Sequence, residues 1–144
     1  MAQFSVAARS GGAGSTTLPI GSLYNIAGTR ARIREIGVFN TTTTPVSLGI
    51  CKVSSAGTQG TGLTEVEWDE DGSPPLCTAF DTHSVAPTLG SFVRKFVLAS
   101  QGAAAIFTFG GFGLSAPVGT ANGIAIIPWV GTGQVCDWYI DWEE

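Results

Sequence analysis

The sequence is short of charge. Seven Lys or Arg and eleven Asp or Glu make up 12% of its 144 residues, against roughly 25% in an average globular protein. Yet 44% of the chain is hydrophobic, which excludes a disordered, solvating chain. A surface this poor in charge reads either as one that partly faces protein or as that of a Gly/Thr/Ser-rich β-protein kept soluble by its hydroxyls. No long basic run exists, so direct nucleic-acid binding has little electrostatic support. Histidine occurs once, at His83, and catalytic or zinc use needs partners that the sequence does not place beside it. The three cysteines, Cys51, Cys77 and Cys136, are an odd number without CxxC spacing. That argues against a disulfide scaffold and a zinc ribbon. Cys51 and Cys136 lie within apolar runs, so buried free thiols and a reducing cytoplasm are expected. No run approaches the length of a membrane span, and Met1 to Gly12 lacks the apolar core of a signal peptide. No segment sustains a 3.6-residue apolar period, which argues against a helical fold.

What is present is strand and turn. The clearest stretch is Asn122 to Glu144. Ile124 to Trp129 is apolar at nearly every position, which predicts a strand covered on both sides. Pro128 cannot donate to a ladder, so it marks an edge, a bulge or a strand end. Val130 to Gly133 turns the chain. In the following arm Cys136, Trp138, Ile140 and Trp142 share one face, and Asp137, Tyr139, Asp141 and Glu143 share the other. The block reads as a β-hairpin with Trp138 in the core.

Upstream, Gln3 to Arg9 alternates, and Ser10 to Ser15 is a glycine-rich joint. Thr16 to Ala27 is a second strand region, broken by Pro19 and Gly21. Arg30 to Phe39 is the best strand of the N-terminal half. There Arg30, Arg32 and Arg34 share parity with Ile36 and Val38. Either a bulge intervenes or one face passes from exposed to buried. Val46 to Ser54 and Thr64 to Trp68 follow, then an acidic loop over 69–75. Leu76 to His83 is a strand or a single helical turn. Phe92 to Ala99 and Ala104 to Phe109 read as a hairpin, with Phe92, Phe96 and Phe107 as expected neighbours of Trp138. Nine or so short strands between turn signals predict an all-β, single-domain antiparallel β-sandwich, jelly-roll-like, with little or no helix.

Motifs with chemistry fail on inspection. The acidic loop at Asp69 to Gly72 lacks the ligand frame of a calcium loop. Gly111 to Ala116 matches G-x-G-x-x-A, but Pro117-Val-Gly119 follows where a helix is required. Asn40-Thr41-Thr42 is a sequon that, without a secretory signal, marks only a turn. The pair Asp137 and Asp141 is too weak a basis for a glycosidase. No catalytic residue, metal or cofactor is therefore expected. The four tryptophans suit core and subunit contacts, although exposed ones would also suit sugar stacking.

Three stretches carry a likeness. Arg32-Ile-Arg-Glu-Ile-Gly-Val-Phe-Asn-Thr41, Gly119-Thr-Ala-Asn-Gly-Ile124 and Trp138-Tyr-Ile-Asp-Trp-Glu-Glu144 resemble strands of small capsid-associated proteins of tailed bacteriophages. The resemblance runs from Arg30 onward, and its motifs are structural. It implies a non-enzymatic decoration or cement protein on the outer surface of the virion capsid. Such a protein is made in the host cytoplasm, assembles as a homotrimer and binds the major capsid protein. The alternative is a carbohydrate- or receptor-binding module of a phage tail or neck.

The interface residues expected on this reading are Phe4, Val6, Arg9, Arg30, Arg32, Arg34, Trp129 and Tyr139. Residues 1–14 are set apart from the sandwich of residues 15–144 as a strand or extended arm. A loosely tethered arm would donate Phe4 and Val6 to another chain by adding a strand at an exposed edge. The competing reading makes it the first strand of its own sandwich.

Overall fold

In the computed structural model, which describes residues 1–144, the chain forms ten strands and no helix. They are β1 (Gln3–Arg9), β2 (Gly21–Tyr24), β3 (Arg32–Asn40), β4 (Val46–Val53), β5 (Val66–Glu67), β6 (Thr78–Asp81), β7 (Leu89–Leu98), β8 (Ala104–Thr108), β9 (Gly123–Val130) and β10 (Cys136–Glu143). Two five-stranded antiparallel sheets face each other. The first runs β5-β1-β10-β3-β8 and the second β6-β2-β9-β4-β7. Without the short edge strands β5 and β6, the order is β1-β10-β3-β8 against β2-β9-β4-β7, an eight-stranded jelly roll. The expected all-β sandwich is the observed fold.

The topology corrects two connections. β9 and β10 do not pair; they lie in opposite sheets. The same holds for β7 and β8. Each tight turn carries the chain across the sandwich rather than back along one sheet. Alternation reports which face is buried, not which strand is the neighbour, so both arrangements fit one pattern.

The faces themselves are as expected. Cys136, Trp138, Ile140 and Trp142 are buried, and the residues between them are partly exposed. From Gly123 to Pro128 every residue of β9 is buried, because β2 and β4 flank it. Trp138 packs across the sandwich onto Gly21, where an added Cβ would stand 2.3 Å from the indole ring. Phe96 and Phe107 meet between the sheets with ring centroids 5.0 Å apart. Phe92 does not join them. Its ring lies over Gly49 on the outer face of the second sheet.

Bulges explain the awkward parities. β10 pairs Asp141 with Glu35 and Trp142 with Ile33, so Arg34 is an extra residue. The bulge turns Arg34 and Glu35 outward together and lets Ile33 and Ile36 both enter the core. β4 pairs Ser47 with Val130 and Leu48 with Pro128, which leaves Trp129 as the extra residue and places Pro128 at the break. The segment Leu76 to His83 supplies β6, a strand rather than a helical turn.

The N-terminal segment is no arm. β1 pairs with β10 over its whole length, from Gln3 opposite Glu143 to Arg9 opposite Asp137. Phe4 and Val6 are buried core residues, and Phe4 packs on Trp142. The glycine-rich joint carries the chain from the first sheet to the second, and Gly11 N–H bonds the Asp81 carboxylate. The molecule's surface, 6528 Å², sits slightly below the roughly 7,000 Å² that mass scaling gives for a compact monomer.

Candidate interaction surfaces

The expected interface residues scatter. Phe4 and Val6 are withdrawn as contact residues, because a side chain in the core cannot also meet a partner. Arg9 pairs with Asp137 at 2.7 Å, and Arg34 pairs with Glu143 at 2.6 Å. These neighbours hold both carboxylates below their usual range. Arg30 is exposed in the turn before β3, and Arg32 is half-buried. Tyr139 lies flat against Gly37, where a Cβ would stand 2.1 Å from its ring. Its hydroxyl donates to Glu35, and burial with that carboxylate pushes its pKa up to about 12. Trp129, exposed at the end of the central strand β9, reaches toward the sheet margin through Lys95 of β7.

That margin is where β7 and β8 end the two sheets. β7 is the longest strand, at ten residues, and its outer backbone edge is unpaired. Val97 is 65% exposed and Ile106 54% exposed. Both sit on outward faces, opposite Ser47 and Gly37. The Lys95 ammonium lies 5.1 Å from the Phe92 ring centroid and 5.0 Å from that of Trp129. The Arg94 guanidinium covers Phe109 at 5.6 Å. Cations, aromatic rings and two exposed aliphatic side chains thus line an unpaired edge. The sequence shows Phe92 to Ala99 as apolar on both faces, which reads equally as a buried strand or an open one.

The opposite flank is acidic. Carboxylates elsewhere are engaged: Glu35 by Tyr139, Glu65 by Ala79 N–H, Asp81 by Gly11 N–H, Asp141 by Ser5, and Glu144 by Cys77 N–H. Only Glu67, Asp69, Glu70 and Asp71 find no such partner elsewhere in the chain, and they follow one another beside β5. Trp68 stands among them, 61% exposed.

His83 is buried beneath a surface loop and bonds Ser22 Oγ at 2.8 Å. Burial holds its pKa down. All three thiols are buried and unpaired, and burial pushes Cys136 up to about 11. No group of three or more His, Cys, Asp or Glu side chains is placed to hold a metal. Compared with protein families, curated proteins and solved structures, the chain matches none.

Proposed function

We propose that this chain is a structural, non-catalytic virion protein that docks onto a bacteriophage capsid through the β7/β8 flank. The observation that carries the reading is the ten-residue open edge with Val97, Ile106 and Trp129 around it. An edge that long, flanked by apolar side chains, is a pairing template that isolated proteins normally blunt. A partner that covers it removes the liability and gains apolar burial. The likeness to capsid-associated proteins supplies the setting: the outer shell surface, with the major capsid protein as partner.

Homotrimer assembly fits the same edge. Two copies joined β7 to β7 about a twofold axis between Arg94 and Lys95 would set each of these cations opposite the other copy's. Like charges directly opposite disfavour that pairing. A head-to-tail contact avoids it, and such contacts close into rings. Sedimentation of purified protein with shells lacking it tests the docking reading. Wild-type protein loads, and the pair Val97→Asp with Ile106→Asp fails to load while melting as the wild type does. Loading by the double variant at the wild-type level overturns it.

A second reading, a carbohydrate-binding module, is favoured by one observation. Trp68 is exposed and borders two depressions.

A further inference from the structure

The outer face of the first sheet carries a trough that runs from Trp68, just after β5, to Thr108 on β8. Trp68 forms one wall. Its N–H donates to the Gln3 carbonyl at 3.0 Å, which extends the β5 pairing by one residue. Val66 lies opposite Ser5, so alternation keeps Trp68 on the outward face beside Gln3. Thr108, on the far edge strand β8, lines the same depression of about 360 Å³. In a flat sheet, four strand spacings would separate β5 from β8 by about 19 Å. A single depression touched from both edges means that the sheet curls into a trough. A second depression of about 420 Å³ adjoins Trp68 on its other side.

The lining mixes apolar and polar groups, and the polar side chains are held in place. Asp141 accepts the Ser5 hydroxyl at 2.5 Å through one oxygen and leaves the other unbonded. Glu35 accepts from Tyr139 through one oxygen. Arg34 is braced by the Gly111 carbonyl and by Glu143, both at 2.6 Å. The Thr108 hydroxyl has no partner within the chain. Hydrogen-bonded supports of this kind keep first-contact groups in place before a ligand arrives.

We infer that this trough binds a neutral carbohydrate, with a pyranose ring stacked on Trp68 and its hydroxyls donating to Asp141 and Glu35. The chemistry selects this class. A sugar ring presents an apolar C–H face and a rim of hydroxyl donors. Trp68 supplies the flat apolar surface, and the unbonded carboxylate oxygens supply acceptors. Glu35 and Asp141 line the trough, Arg34 is neutralised by Glu143, and Glu67 and Asp69 line the depression on the other side of Trp68. That field repels phosphates, sulfates and acidic sugars. The trough is open, so a single ring binds weakly, with a Kd of about 1 mM. The inference rests on the carbohydrate-binding reading rather than on shell docking; the trough reaches β8 at Thr108, two residues from Ile106, so Val97, on the other sheet, serves as the control that separates the two.

The test titrates the full chain with methyl pyranosides of glucose, galactose, mannose and N-acetylglucosamine. Glucuronate and glucosamine serve as the anionic and cationic arms. Saturation-transfer NMR and indole fluorescence follow binding. Saturable binding of at least one neutral pyranoside is expected. Trp68→Ala should weaken it by at least about tenfold, equivalent to about 1.4 kcal/mol, and Asp141→Asn should weaken it too. Val97→Asp should bind as the wild type does. Trp68 is exposed, so its variant should keep the wild-type melting temperature; if it does not, Trp68→Phe must retain measurable binding. Absence of saturation by every neutral sugar overturns the inference. So does binding confined to glucuronate or glucosamine, or binding that survives Trp68→Ala unchanged.

Discussion

At the scale of single residues, aromatic rings are set against glycines. Trp138 fills the space above Gly21, and Tyr139 fills that above Gly37. A methyl group at Gly21 has nowhere to go, because the indole is itself locked in the core. Gly21→Ala should therefore destabilise by about 1–3 kcal/mol, the usual cost of overpacking. Trp138→Ala should cost about 3–5 kcal/mol, whereas Asp137→Ala, on the outer face, should leave the chemical-denaturation midpoint nearly unchanged. Equal losses from the last two would contradict the face assignment.

Two titrating groups, the half-buried Asp141 and the buried His83, set the pH response. Burial, with Glu35 nearby, holds Asp141 above the ordinary carboxylate range. The folded state therefore binds this proton more tightly than the unfolded chain does. Its contribution to stability falls as pH rises from the unfolded value, about 3.9, through the raised folded one. Asp141→Asn should melt higher than wild type at about pH 7 and alike at about pH 3, where Asp141 is protonated. His83 has the opposite sense. Its folded pKa is depressed, so the unfolded chain takes up a proton first, and stability is lost as pH falls below about 6.5. His83→Gln should flatten that limb of a melting-temperature profile. Both sets of melts are readable by circular dichroism.

At the scale of elements, β1 and β7 are the informative strands. β1 lies between β5 and β10 and sends Phe4 and Val6 into the core. Deleting residues 1–11 should therefore abolish the cooperative thermal transition of the isolated protein. A truncated chain that melts as the full chain does would return the segment to the role of a detachable arm. The alternation of Gln3 to Arg9 was legible; its neighbour was not, because the partner strand lies at the other end of the chain. The bulge at Arg34 was legible in part, since the parity of three arginines with Ile36 required one of two solutions. β7 was not legible. Its pattern reads as a strand but says nothing of its neighbours, and its outer edge is open. Only strand order separates a central strand from an edge.

At the scale of the whole molecule, the fold sorts charge that the sequence interleaves. Arg94 and Lys95 reach one flank, and the acids from Glu67 to Asp71 reach the other. If the chain docks through the basic flank as proposed, loading should weaken as salt rises, because exposed charges are screened within about 8–10 Å at physiological ionic strength. Shell loading measured across a salt series should fall, and Lys95→Glu should lower loading at low salt more than at high salt. Loading insensitive to both would leave apolar contact as the sole contributor.

The sequence by itself determined the class of fold, the buried face of β10, the double coverage of β9 and the free state of the thiols. These follow from local rules: side chains alternate along a strand, and apolar surface leaves water. Tertiary structure alone decided which strands pair, that two supposed hairpins cross between sheets, and that Phe4 belongs to the core. It also decided that Trp68 is exposed while Trp138 and Trp142 are buried. The reason is that pairing and exposure depend on contacts between residues far apart in the chain. Period-two alternation is the same whether a strand's neighbour precedes it, follows it or lies a hundred residues away.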